Sequence, residues 1–325
     1  MGRHQKQVLN EHGVNRRELG YYSTPAFIAD FITQTMLAIN PHGRTALDPC
    51  VGREELITTL HQHGVSVDGI DIHNHGDYQH CNFIQDDFID YYGQLKAALP
   101  AGESINLSYD YLIANPPYNC HELNYIRDNK KALTQLFGGI GVHNMYSMFI
   151  SAMVDCAKDG ALMGFITSDS FLTARVHAPL RKQILQQCAI HHLILCPSDL
   201  FRQQNADVRT CIMILQKGTQ HQQQVNVLNR PANRQQLQQQ LEKRHFTPTS
   251  LNQLVNPAGS GNEFTVGVPA AIQALFNHPR LGDTFKCITG ISTGNDALYL
   301  SKHPRPGFEI PFYKNPGSRK YYSAP

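Results

Sequence analysis

The chain has 325 residues, 41% hydrophobic and 17% charged, which suits one large α/β domain of roughly 200 to 250 residues with a smaller appendage. No apolar run approaches the roughly 18 residues of a membrane span and the N-terminus MGRHQKQVLNEHG has no signal-peptide core, so cytoplasmic residence is the expectation. The net charge is only +2, but residues 1–201 carry −6 and residues 202–325 carry +8, so a polyanion would be drawn to the C-terminal part.

The first predicted helix starts at Thr24 as cap with Pro25 in its first turn, and Ile28, Phe31, Ile32, Met36 and Ile39 mark its apolar face. Its N-terminus offers free N–H groups to an anion. Apolar runs at 44–49, 65–72, 81–87, 109–117, 161–168, 191–198 and 210–217 alternate with helical stretches, which predicts an α/β fold with a doubly wound, mostly parallel sheet. The last two runs are too close for a helical crossover, so they should pair antiparallel. Ligands on such sheets gather at the C-terminal strand ends.

Residues 119–144, with Arg127, Lys130, Lys131 and the Gly138-Gly139-Ile140-Gly141 run, read as a mobile loop. A second helix at about 145–158 carries Met145, Met148, Phe149, Ala152, Met153 and Cys156 at core-facing spacing. From 216 to 245 the chain is rich in glutamine, with one short strand, VNVLN, and one polar helix. That composition suits a connecting region or a solvated helix at the domain edge. NPAGSGN (256–262) suggests a loop before a small helix at 269–278 and a basic end. The domain plan is therefore 1–220 for the main fold, 221–260 for a linker and 261–325 for the start of a further domain. The eight cysteines show neither disulfide nor zinc spacing, and the His73, His75, His80 and Cys81 cluster reads as a polar loop, so no metal is assigned.

Chemistry concentrates in Asn115-Pro116-Pro117-Tyr118, at the end of the fourth run. The exocyclic nitrogen of adenine is a poor nucleophile because its lone pair is delocalised into the ring. The Asn115 side-chain oxygen can accept one of its hydrogens and the Pro116 carbonyl the other, while the double proline fixes that carbonyl's direction. Tyr118 gives a base a face to stack on. A simple strand-ending turn would also use Asn and two prolines.

Three other strand ends carry compatible groups. Asp48-Pro49-Cys50-Val51-Gly52 follows the first strand, with Gly52 permitting close approach of a cofactor; Asp71 ends the second, where a carboxylate can accept ribose hydroxyls; Asp87-Phe88 follows the third, with an acceptor for an adenine amine and a ring to pack on it.

With GYYSTP before LDPCVG and ANPPY last, the chain resembles, over roughly residues 18–218, the gamma-type amino-methyltransferases that carry a methyl group from S-adenosylmethionine to the N6 of adenine in DNA. The resemblance implies a Rossmann-like class I methyltransferase fold, with a mostly parallel seven-stranded sheet whose last strand is antiparallel, plus a small C-terminal extension. It implies Tyr22, Thr24 and Pro25 near the methionine part of the cofactor, Asp48, Pro49 and Gly52 around its amino-acid moiety, Asp71 on its ribose, and Asp87 and Phe88 on its adenine. Asn115, Pro116, Pro117 and Tyr118 would hold the target base, flipped out of double-stranded DNA. Two positions depart from the family: Glu54 stands where a second glycine is usual, and Leu215 stands where an aromatic from the last strand would be sought, with Phe201 as the substitute.

The same Asn-Pro-Pro-Tyr device serves methylases of guanine in ribosomal RNA and of glutamine in translation factors, and a methylase-like binder without transfer activity is a further alternative, for which Glu54 is the main support. CITGISTGNDALYL (287–300) resembles the opening of target recognition domains in restriction-modification and phage-defence systems, so that domain is either cut short or completed by a separate specificity or restriction subunit.

Overall fold

A computed structural model describes residues 22–100, 103–118, 124–202, 208–218, 224–256, 259, 261–279, 281–286, 296–301, 303 and 305–308. In chain order these form α1 (Ala26–Ile39), β1 (Thr45–Asp48), α2 (Thr58–Gln62), β2 (Ser66–Asp71), β3 (Asn82–Gln85), α3 (Phe88–Ala98), β4 (Tyr111–Ala114), α4 (Asn124–Asp128), α5 (Lys130–Phe137) and α6 (Met145–Cys156). They continue with β5 (Leu162–Ser168), α7 (Ala178–Gln187), β6 (Cys188–Leu195), β7 (Thr210–Lys217), β8 (Gln224–Leu228), α8 (Arg234–Glu242), β9 (Thr247–Ser250) and α9 (Leu251–Leu254).

The strands make one sheet in the order β3-β2-β1-β4-β5-β7-β6-β8-β9. Pairing is parallel from β3 through β5, and β7 runs antiparallel to both β5 and β6, as the short connection between the last two apolar runs predicts. The central strands read as continuous apolar runs because both faces are covered. Leu112 and Ala114 of β4 face a core shared with α3, α6 and α7, whereas Tyr111 and Ile113 face the core under α1 and α2.

Three expectations change. The segment 221–260 is no linker: β8 pairs parallel with β6 and β9 antiparallel with β8, so the sheet has nine strands rather than seven. Val225 and Val227 alternate into one core, and Leu237 and Leu241, four apart on α8, enter the other, which is enough apolar surface to dock a glutamine-rich stretch. Residues 124–137 are helical rather than loop, because Ile126, Leu133 and Phe137 are buried and Phe137 stacks on Tyr92 with ring centroids 5.4 Å apart. Thr24 does not cap α1; its hydroxyl is taken by Asn115, and the Pro25 carbonyl begins the helix by accepting from the Ile28 N–H at 2.9 Å.

By compactness the chain divides into Met1–Phe276 and Asn277–Pro325. Most of the segment resembling a target recognition domain, 287–295, lies outside the described residues. Among the described residues no helix is long and apolar enough to cross a membrane.

Candidate active site

Parallel pairing brings the ends of β1, β2 and β4 to one edge of the sheet, and the candidate residues follow them there. Asn115 leaves β4 with its amide nitrogen donating to the Tyr22 carbonyl at 2.7 Å and to the Thr24 hydroxyl at 2.9 Å. A carbonyl cannot donate, so the nitrogen must face Tyr22, and the side-chain oxygen is thereby turned the other way. That oxygen accepts from the Tyr118 hydroxyl at 2.6 Å. Residues 22 to 24, ahead of α1, thus orient the Asn115 side-chain oxygen.

Tyr118 is only 8% exposed. Its ring lies 5.4 Å from Tyr22 at 21° between planes and 6.3 Å from Phe201 at 69°, and Tyr22 lies 5.8 Å from Phe201. Phe201, following β6, joins this aromatic cluster but is fully buried, as is Leu215 inside β7. Pro116 is buried and Pro117 half-buried beside them.

The Asn115 backbone N–H lies near enough to the Cys50 thiol to favour its charged form, so the turn after β1 sits beside the turn after β4. Asp48 is 1% exposed and accepts from the Cys50 N–H at 3.0 Å. Burial, reinforced by the charges of Asp71 and Glu55 and opposed by that N–H, pushes its carboxyl up to about 8. Burial and the nearby Asp48 charge push the Cys50 thiol well up, away from the thiolate form. Pro49 is buried, and Gly52, at φ +54, takes the left-handed conformation that glycine allows, with its N–H on the Asp71 carboxylate at 3.0 Å. Asp71 also accepts from the His73 N–H at 2.9 Å.

At the third strand end, Asp87 caps α3 by accepting from the Ile89 N–H at 2.8 Å, and Tyr125 of α4 hydrogen-bonds to the same carboxylate. Phe88 departs from expectation. It is 1% exposed and packs on Phe149 at 5.4 Å, so its ring is a core residue with no exposed face for an adenine. A position that sequence reasoning passed over is Ile72, directly after Asp71, whose side chain is 52% exposed. Its signal was an apolar residue just past a strand-ending acid.

Glu54 is also resolved by the geometry. At φ +64 it holds the left-handed conformation that makes glycine usual there, at a cost of about 1–2 kcal/mol. Its carboxylate turns toward the connection between β2 and β3, where it accepts from the N–H of Gln79 and of His80. Burial raises its carboxyl, but those N–H groups outweigh burial and hold it below the usual range.

A sheet ordered 3-2-1-4-5-7-6 with an antiparallel β7, and with acids at the ends of β1 and β2 and an Asn-Pro-Pro-Tyr turn at the end of β4, defines a class I methyltransferase fold. The family model described as N-6 DNA Methylase matches residues 1–263, and the chain belongs to that family. The Type II methyltransferase M.BanIII of Aneurinibacillus aneurinilyticus is 25% identical over 202 residues, covering 54% of this chain and 35% of that protein, so the chain spans about a third of that relative's length. Among solved structures, one of a type I R-M system described for its complex assembly superposes with TM-score 0.56 at 13% identity over 80% of this chain and 64% of that one. The DrdV-DNA complex superposes with TM-score 0.54 at 15% identity, over 79% of this chain and 32% of that one. At such identities these structures speak for the fold alone.

Proposed function

We propose that the chain transfers a methyl group from S-adenosylmethionine to the exocyclic N6 of adenine in double-stranded DNA, site-specifically and within a restriction-modification or related defence system. The observation that carries the reading is the oriented Asn115 oxygen, held by Tyr22 and Thr24 beside the aromatic cluster of Tyr22, Tyr118 and Phe201.

The residues present fit the cofactor by their chemistry. Asp48 would take its ammonium group beside Gly52 and Pro49, Asp71 its ribose hydroxyls and Asp87 its adenine amine, with Thr24 and Pro25 near the methionine chain. Bound there, the cofactor supplies an electrophilic methyl group on a sulfonium. The chain does the rest. Tyr118 stacks on the flipped base, and the Asn115 oxygen and Pro116 carbonyl accept its two amine hydrogens. Those bonds strengthen as the nitrogen becomes tetrahedral and positive, which lowers the barrier more than it stabilises the bound base. The Asn115 oxygen has two lone pairs, so it can serve the amine alongside the Tyr118 hydroxyl.

Asn115→Ala should cut methyl transfer by about 10²–10³ in kcat, with a smaller loss of cofactor affinity, because the Asn115 side chain also holds Tyr22 and Thr24 in place. Incorporation of labelled methyl groups into DNA, followed by sequencing for N6-methyladenine, checks both the reaction and the base. Unmethylated DNA with the wild-type protein would end the proposal. The alternative of an inert binder loses its main support, since Glu54 is turned toward Gln79 and His80. Sequence selection needs base-edge contacts that the catalytic fold supplies poorly, so we assign it to residues from 261 onward together with a separate specificity or restriction subunit. A cytoplasmic location accords with a DNA substrate.

A further inference from the structure

We infer that Glu54 is a positioning residue for the cofactor: its carboxylate fastens the connection between β2 and β3 to the Asp48–Gly52 turn, and so sets the spacing between the cofactor's amino-acid and adenosine subsites. The inference rests on the reading of those subsites given above.

The turn after β1 makes two ties to the neighbouring connection. Near its start the Gly52 N–H reaches the Asp71 carboxylate at 3.0 Å, and Asp71 in turn accepts from the His73 N–H. Near its end Glu54 accepts from the Gln79 N–H at 2.9 Å, from the His80 N–H at 2.6 Å and from the His80 Nδ1 at 3.1 Å. The His80 ring is backed by His61 of α2, with centroids 5.2 Å apart. Segment 73–80 is thereby held at both ends through two positions only two residues apart, Gly52 and Glu54, with Asp71 receiving the first tie.

A glycine at 54 would adopt φ +64 without strain, so backbone conformation gives no reason for a glutamate there. What glycine cannot provide is a carboxylate on two backbone N–H groups, and charge-assisted bonds of this kind are the stronger ones. The residue is 7% exposed and its oxygens are committed, so it is not a group waiting for the cofactor's ammonium. Its effect on binding must pass through Asp71 and the turn.

Calorimetry on the full chain distinguishes this role. S-Adenosylhomocysteine spans both subsites, whereas 5′-methylthioadenosine reaches only the adenosine side. For both Glu54→Gln and Glu54→Gly, affinity for S-adenosylhomocysteine should fall about tenfold, affinity for methylthioadenosine should change less than about twofold, and kcat at saturating S-adenosylmethionine should stay within about twofold of wild type. Glu54→Gln keeps the side chain's size and guards against simple misfolding. Equal weakening of both ligands, or no weakening, overturns the inference alone. Failure of the wild-type protein to bind either ligand overturns the cofactor reading and this inference with it.

Discussion

Asp48 is an acid whose surroundings resist its charge. With its carboxyl pushed up to about 8 by burial, it is mainly protonated in the free protein at neutral pH. On the proposed reading a cofactor ammonium beside it would favour the carboxylate, so binding should expel a proton, and affinity should climb as the pH rises toward 8. Calorimetry in buffers of different ionisation enthalpy measures that proton, and Asp48→Asn should abolish it. The sign for stability is opposite. Between about pH 4 and 8 the unfolded chain loses a proton that the folded chain keeps, so this group removes stability as the pH rises through that window. Tyr22 shows a second constraint on single residues. A base sandwiched between two rings needs about 7 Å between them, and Tyr22 and Tyr118 are 5.4 Å apart, so a base stacked on that face of Tyr118 requires Tyr22 to move.

Among elements, α1 and β5 are fitted at one contact. A Cβ added to Gly164 of β5 would lie 2.5 Å from both the Ile32 Cγ2 and the Met36 Sδ of α1. Gly164→Ala should therefore cost about 1–3 kcal/mol through overpacking, read as a lower urea midpoint at unchanged slope. Because Thr24 lies just ahead of α1 and orients Asn115, displacement of that helix should lower methyl transfer as well. Most of this architecture was legible. Each apolar run became a strand, and α6 emerged where Met145 through Cys156 keep a helical stripe. The two errors of element share one cause: residues 124–137 and 224–256 carry few apolar side chains, but those few meet cores formed by distant segments, which local composition does not reveal.

On the scale of the whole molecule, two buried histidines carry a liability to acid, His192 in β6 and His177 just ahead of α7. His177 and His192 are 3% and 7% exposed, and burial, aided by the charges of His143 and Arg181 or of His191 and Arg244, holds each down to about 4. A histidine kept neutral in the folded state favours folding above its unfolded pKa and loses that advantage as the pH falls from about 6.5 to 4. Unfolding midpoints should drop steeply across that window, by roughly 3 kcal/mol for each histidine, and His192→Phe should flatten the fall by about half. Its ring already packs edge-on against Phe31 and Phe246, so an aromatic is accommodated. The amino-acid order by itself determined the strand alternation, the antiparallel final pair and the place of the Asn-Pro-Pro-Tyr motif at a strand end, because hydrophobic periodicity and short motifs are local properties. Only the tertiary structure decided that Phe88 belongs to the core, that Phe201 joins Tyr118, that Glu54 turns to Gln79 and His80, and that the Asn115 oxygen is aimed by residues some ninety positions earlier. Side-chain direction depends on partners brought close by folding, and spacing along the chain does not encode it.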